Sequence, residues 1–269
     1  MNMQKFETEE ASAAWKAYWQ RDHFWPDADL WRANAEFFSR SLKRLAGIEA
    51  SDRVLDIGCG AGHLAKVLAP QTVQVHGVDT SERFIERARA ACAEYPNAQF
   101  RLFSGDDEDL IGLRTSPCRF NEKPAGDEAQ AAGGGKYSLF LCVSVIQYYR
   151  DIEQVRSLIE ACRAAALPGA RLVIADIPLR RNAAGRAWDT AVSLAQSFKE
   201  GYAREFIGTA WRLAMDSDYS RFAQNAPVLE FTESSLQSLL NGPGYVGALV
   251  RGGVTVNANR PAMVIRFKS

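Results

Sequence analysis

What the 269-residue sequence lacks narrows the field first. No apolar run approaches the roughly eighteen residues read as a membrane span. The first ten residues, MNMQKFETEE, are polar and acidic where a secretory leader is basic and then apolar. A cytoplasmic setting is the expectation. Surplus charge is missing too: 32 Lys and Arg balance 32 Asp and Glu, so no global field draws the chain to nucleic acid or an anionic membrane. The five cysteines (Cys59, Cys92, Cys118, Cys142, Cys162) form no Cys-x-x-Cys pair, and only three histidines accompany them. They read as buried thiols, and no metal site is expected.

What is present is concentrated in residues 54–63, VLDIGCGAGH. An apolar strand delivers Asp56 and then Gly58, Gly60 and Gly62 at alternate positions. Glycines suit a sharp turn from strand into helix where a ligand must come against bare main chain, which any Cβ would block. A dinucleotide loop reads Gly-x-Gly-x-x-Gly, with a helix N-terminus facing a pyrophosphate. Here the third glycine comes one residue early and His63 stands in the expected place. Asp56 would repel a pyrophosphate but suits a ligand carrying an ammonium and a sulfonium. In residues 53–62 the chain resembles motif I of the class I S-adenosylmethionine-dependent methyltransferases.

Downstream, short apolar runs alternate with helical periods, the pattern of a parallel sheet covered on both faces. Strands are expected over residues 53–57, 73–79, 98–103, 137–146 and 170–176. The first helix starts near Gly62 and ends at Pro70; the second carries Phe84, Ile85, Ala88 and Cys92 on one face; a third is capped by Asp151. The fold class is α/β, a doubly wound sheet, and the resemblance implies seven strands, mostly parallel, with the last antiparallel. Four regions are expected: an N-terminal helical lid (1–50), a cofactor-binding core (51–177), a helical substrate insert after the fifth strand (178–230), and a C-terminal helix with strands completing the sheet (231–269). Residues 113–136, with Gly133-Gly134-Gly135, read as a surface insertion. In the last region Thr232 caps a helix to about Leu240, before β-rich runs at 245–256 and 262–267.

Polar groups recur where successive strands end: Asp56, Asp79, Asp106 with Asp107, Ser144 and Asp176. In a doubly wound sheet such positions converge on one crevice. Asp79, twenty-one residues after Gly58, can accept both ribose hydroxyl protons, in an NAD site as well as in this one. The resemblance implies that Asp106 or Asp107 takes the adenine amino group, that Ser144 meets the methionyl end, and that S-adenosyl-L-methionine is the cofactor. Cys59 and Thr80 adjoin these positions and are counted with them. Nine aromatic residues crowd the first fifty positions. Most suit packing on the core, and Tyr18 and Trp19 are candidates for a lid that excludes water.

The expected activity is methyl transfer to an O or N nucleophile of a small molecule or a sugar or lipid precursor. Such a displacement occurs at an activated carbon, so a base is optional. His63 and Tyr148 are weak candidates for one, while Tyr148, Tyr149 and Gln147 suit the acceptor pocket. No basic aromatic stripe for nucleic acid appears, and Ser144-Val145-Ile146-Gln147 stands where amino-methylating nucleic-acid enzymes carry Asn or Asp before Pro-Pro. Two alternatives stay open: a protein that binds the cofactor without transferring methyl, and an NAD-dependent oxidoreductase.

Overall fold

A computed structural model describes residues 3–21, 29–103, 137–216, 222 and 226–268, with side chains from residue 10 onward. Two helices lead, α1 (Met3–Trp19) and α2 (Asp29–Leu45). The α/β alternation follows as β1 (Arg53–Ile57), α3 (His63–Leu68), β2 (Gln74–Asp79), α4 (Glu82–Ala91), β3 (Ala98–Leu102), β4 (Tyr137–Val143), α5 (Ile152–Ala164) and β5 (Ala166–Ala175). Two insert helices, α6 (Ala183–Glu200) and α7 (Ala203–Met215), precede α8 (Glu233–Gln237), β6 (Asn241–Gly242), β7 (Tyr245–Val250) and β8 (Ala262–Phe267). The strands form one sheet in the order β3-β2-β1-β4-β5-β8-β7-β6. β1 to β5 are parallel, and β8 pairs antiparallel with β5.

Alternation along each strand builds two cores. Leu55, Phe140 and Leu172 point to one face and meet Val155, Leu158 and Ile159 of α5. Val54, Leu139 and Val173 point to the other and meet Phe38 and Leu42 of α2 with Leu64 and Leu68 of α3. Burial on both sides is why these strands read as nearly unbroken apolar runs. His76 is a packed side chain, its Nδ1 2.8 Å from the Tyr137 hydroxyl; burial lowers its pKa to about 4.

Among the described residues the sheet has eight strands rather than seven. The extra one is β6, two residues that a turn through Pro243 and Gly244 folds back onto Tyr245 and Val246. Its neighbour β7 runs antiparallel to β8 and so in the direction of the core strands. Several ends differ from expectation. The fourth strand stops at Val143 because Ser144 takes a left-handed backbone (φ 61°). The run at 245–256 pairs only to Val250, since Gly252 and Gly253 turn the chain with φ near 68° and 65°. β5 starts at Ala166, with a register shift between Tyr137 and Leu139 of β4 that absorbs Leu167-Pro168-Gly169. Thr232 does cap α8, through reciprocal bonds with Ser235, but the helix ends at Gln237. The expected insertion at 113–136 and His23 lie outside the described residues.

Candidate active site

A cavity of about 220 Å³ opens above the carboxyl ends of β1, β2 and β4, with α1 and α2 over it. Asp56, Gly58, Cys59, Gly60, Asp79, Thr80 and Ser144 all line it, as do His63, Tyr148 and Tyr149. Convergence of this kind follows from the topology: β1 lies between β2 and β4, so their ends meet at the place where the chain reverses its winding.

The turn after β1 is built from backbone. The Gly58 and Cys59 N–H groups both donate to the Val78 carbonyl, at 2.7 and 3.0 Å, which ties the turn to β2. At Gly58, with φ 74°, any Cβ would overlap the Cγ2 methyl of Val145. Gly60, with φ 53°, has open space where its Cβ would stand, and its N–H donates to Asp79 Oδ2 at 2.8 Å. The Ser81 N–H donates to Asp79 Oδ1 at 2.9 Å. Asp79 is thereby held rigidly at the rim, with lone pairs to spare.

Two carboxylates buried side by side are costly. Burial, then the charge of Asp79, raises the pKa of Asp56 to about 7; burial raises Asp79 to about 6 against the pull of its three backbone N–H donors. Asp56 is 2 % exposed, and its Oδ2 has no hydrogen-bond partner among the described residues. Such an atom is expensive in an empty protein and useful beside a cation. Burial also holds the Cys59 thiol well above its usual range, with Asp79 and Asp56 adding to the effect, so Cys59 serves as a neutral wall.

The cover comes from the N-terminal helices. Trp19 lines the cavity, whereas Tyr18 points away and stacks on Phe222 at 4.6 Å, behind the wall. Neighbouring residues on a helix point about 100° apart, and here that turns Tyr18 out of the cavity that Trp19 lines. Four hydrogen bonds seat α1 and the residue after it: Ser12 Oγ to the Tyr148 carbonyl (2.7 Å), Trp15 Nε1 to the Ala226 carbonyl (3.0 Å), Ser81 Oγ to the Trp19 carbonyl (2.9 Å) and Gln20 Nε2 to the Thr80 carbonyl (2.7 Å). From α2 the lining residues are Trp31, Asn34, Ala35 and Phe38. Sequence reasoning missed this stripe, although its spacing of three, four and seven is a readable helical face.

Asp176 ends its strand as expected but stands one layer behind the cavity. It accepts from Ser144 Oγ (2.6 Å), Thr255 Oγ1 (3.2 Å), Asn257 Nδ2 (2.8 Å) and Arg260 NH1 (3.2 Å). Arg260 NH1 also donates to Gln147 Oε1 at 3.1 Å, which puts Gln147 in this network rather than on the cavity wall. Ser144 and Asp176 are the non-glycine residues with positive φ among the described residues, a conformation that must be held in place by its surroundings. Asp106 and Asp107 lie outside the described residues.

Comparison with known proteins bears on this geometry. Over 128 residues the chain is 28% identical to the ubiquinone biosynthesis O-methyltransferase of Bordetella parapertussis, covering 48% of this chain and 44% of that protein. The chain thus spans less than half the length of that relative. It is 27% identical over 232 residues to methyltransferase GfsG of Streptomyces halstedii, covering 84% of this chain and 72% of that protein. In fold it is similar to the magnesium protoporphyrin IX methyltransferase of Synechocystis PCC 6803, solved with bound SAM, with a TM-score of 0.55, 16% identity, and 96% and 97% of the two chains covered. Residues 30–245 match the family model described as "Methyltransferase domain", and with four-fifths of its length inside that match the chain belongs to the methyltransferase domain family.

Proposed function

We propose that this chain transfers a methyl group from S-adenosyl-L-methionine to an O or N nucleophile of a small molecule. The observation that carries the reading is the partnerless oxygen of Asp56 beside Asp79, on the floor of a glycine-walled cavity. The residues present suit the cofactor: Asp79 would accept from the ribose hydroxyls, Asp56 would face the methionyl ammonium and sulfonium charge, and the main chain at Gly58 to Gly60 leaves room for both. Asp106 and Asp107 are kept for the adenine amino group on the resemblance alone. When bound, the cofactor supplies an activated methyl carbon.

The protein's part is then to hold the acceptor in line and keep water out. Trp19 and the α1 helix cover the cavity for this purpose. No dedicated base is assigned, although His63 and Tyr148 border the cavity. The cysteines described here are unpaired and buried, in keeping with a reducing cytoplasm. Nucleic acid is not expected as a substrate.

The buried Asp56 carboxylate argues against the pyrophosphate of NAD, because like charges would be forced together in a low-dielectric site. Calorimetry tests the choice: S-adenosylhomocysteine should give heat and NAD none. Incubation with methyl-labelled cofactor and a metabolite extract should then yield a labelled product. Heat without any product would favour a protein that binds the cofactor and transfers nothing.

A further inference from the structure

The floor and the cover of the cavity differ in the chemistry they offer. Below, the polar groups are Asp56, Asp79 and the glycine turn, all taken up by the cofactor in the reading above, on which this inference rests. Above, α1 and α2 present rings: Trp19, Trp31 and Phe38, with Tyr148 closing the side. Two polar groups of the cover are already engaged. Ser12 donates to the Tyr148 carbonyl, and the Asn34 side-chain oxygen accepts from the Val256 N–H at 3.0 Å.

One charge remains on the cover. Lys16, half-buried on α1, faces the cavity and makes no hydrogen bond or ion pair among the described residues. It does not neutralise the carboxylates below it, whose environment is set by burial, by each other and by backbone N–H groups. A lysine ammonium on a ring-lined wall, with no anion beside it among the described residues, suits an anionic ligand. A cationic acceptor would meet like charge.

We propose that the methyl acceptor is a flat aromatic anion, with its ring against Trp19, Trp31, Phe38 and Tyr148 and its carboxylate or phenolate on Lys16 Nζ. Rings pack on rings by offset or edge contacts, so the wall selects shape while the lysine selects charge.

The test is calorimetry on the full chain saturated with S-adenosylhomocysteine. Probes are benzoate, 4-hydroxybenzoate and 4-hydroxycinnamate, each beside its uncharged methyl ester, with hexanoate as an anion lacking a ring. At least one aromatic acid should bind more tightly than both its ester and hexanoate. Lys16→Met, which keeps the apolar stem, should weaken that acid by about tenfold or more, the usual loss of a charged hydrogen bond, and leave the ester within about twofold. Lys16→Arg should restore most of the affinity. Esters binding as well as acids, or hexanoate binding as well as the aromatic acids, would overturn the proposal. So would a Lys16→Met protein that loses affinity for S-adenosylhomocysteine but not for methylthioadenosine, because the lysine would then belong to the cofactor's carboxylate. A chain giving no heat with S-adenosylhomocysteine sinks the methyl-transfer reading instead, so the two failures are distinguishable.

Discussion

The floor of the cavity and its cover are made by different kinds of physics. The floor is local: a strand, a glycine turn and a carboxylate at the next strand end, positioned by backbone hydrogen bonds within a parallel sheet. The cover is non-local. α1 is held by bonds that join residues 60 to 211 positions apart, and α2 packs its Phe37 on Tyr202 of the insert. A floor of this kind is rigid and restricts what can be changed, whereas a cover assembled from side chains can be altered piecemeal.

Gly58→Ala should break the floor outright. The added methyl overlaps Val145 at a backbone angle that disfavours side chains, which should cost about 2–4 kcal/mol of stability, read by thermal unfolding, and abolish S-adenosylhomocysteine binding. Asp79→Ala should leave the fold intact and weaken that binding by about 1–3 kcal/mol, the cost of stranding hydrogen-bonding groups. Unchanged affinity in the folded variant would remove Asp79 from the ribose.

Smaller still is the effect of pH. Both carboxylates have folded pKa values above their ordinary range, so in the free protein they bind protons that the unfolded chain has already released near pH 5. Their contribution to stability is therefore lost as pH rises through about 6 to 7. The α-ammonium of S-adenosylhomocysteine, whose sulfur is a neutral thioether, favours the ionised form of a carboxylate beside it, so affinity for this ligand should rise from pH 5 to pH 8. Asp56→Asn should flatten that rise; an equally steep profile in the variant would show that Asp56 is not the titrating group. On the cover, Ser12→Ala removes a single hydrogen bond to the Tyr148 carbonyl. It should cost only about 1 kcal/mol of stability and leave cofactor affinity nearly unchanged.

This division explains what could be read from the chain alone. The strand ends at Asp56 and Asp79 were legible because an apolar run, a glycine turn and a carboxylate are written close together in the chain. The α/β class was legible for the same reason, and the eighth strand was not, because two residues carry no period. The direction of Tyr18 against Trp19 was hidden, since crowding of aromatics says that a helix packs and not which way each ring points. The stripe Trp31, Asn34, Ala35 and Phe38 has helical spacing, but so does the neighbouring set Leu30, Ala33 and Phe37, which faces the insert. Choosing between the two needs the tertiary partners. The network around Asp176 was invisible in the same way: its donors lie 32 to 84 residues away and include neither a motif nor a period.

One short loop serves both halves. Asp79 faces the cavity, the next carbonyl receives Gln20, and the hydroxyl after that reaches the carbonyl of Trp19. A fragment trimmed to residue 30, where the family match begins, would carry every glycine and carboxylate of the motif yet leave that loop without the segment that braces it. The segment that braces the loop therefore lies upstream of the boundary that homology would draw.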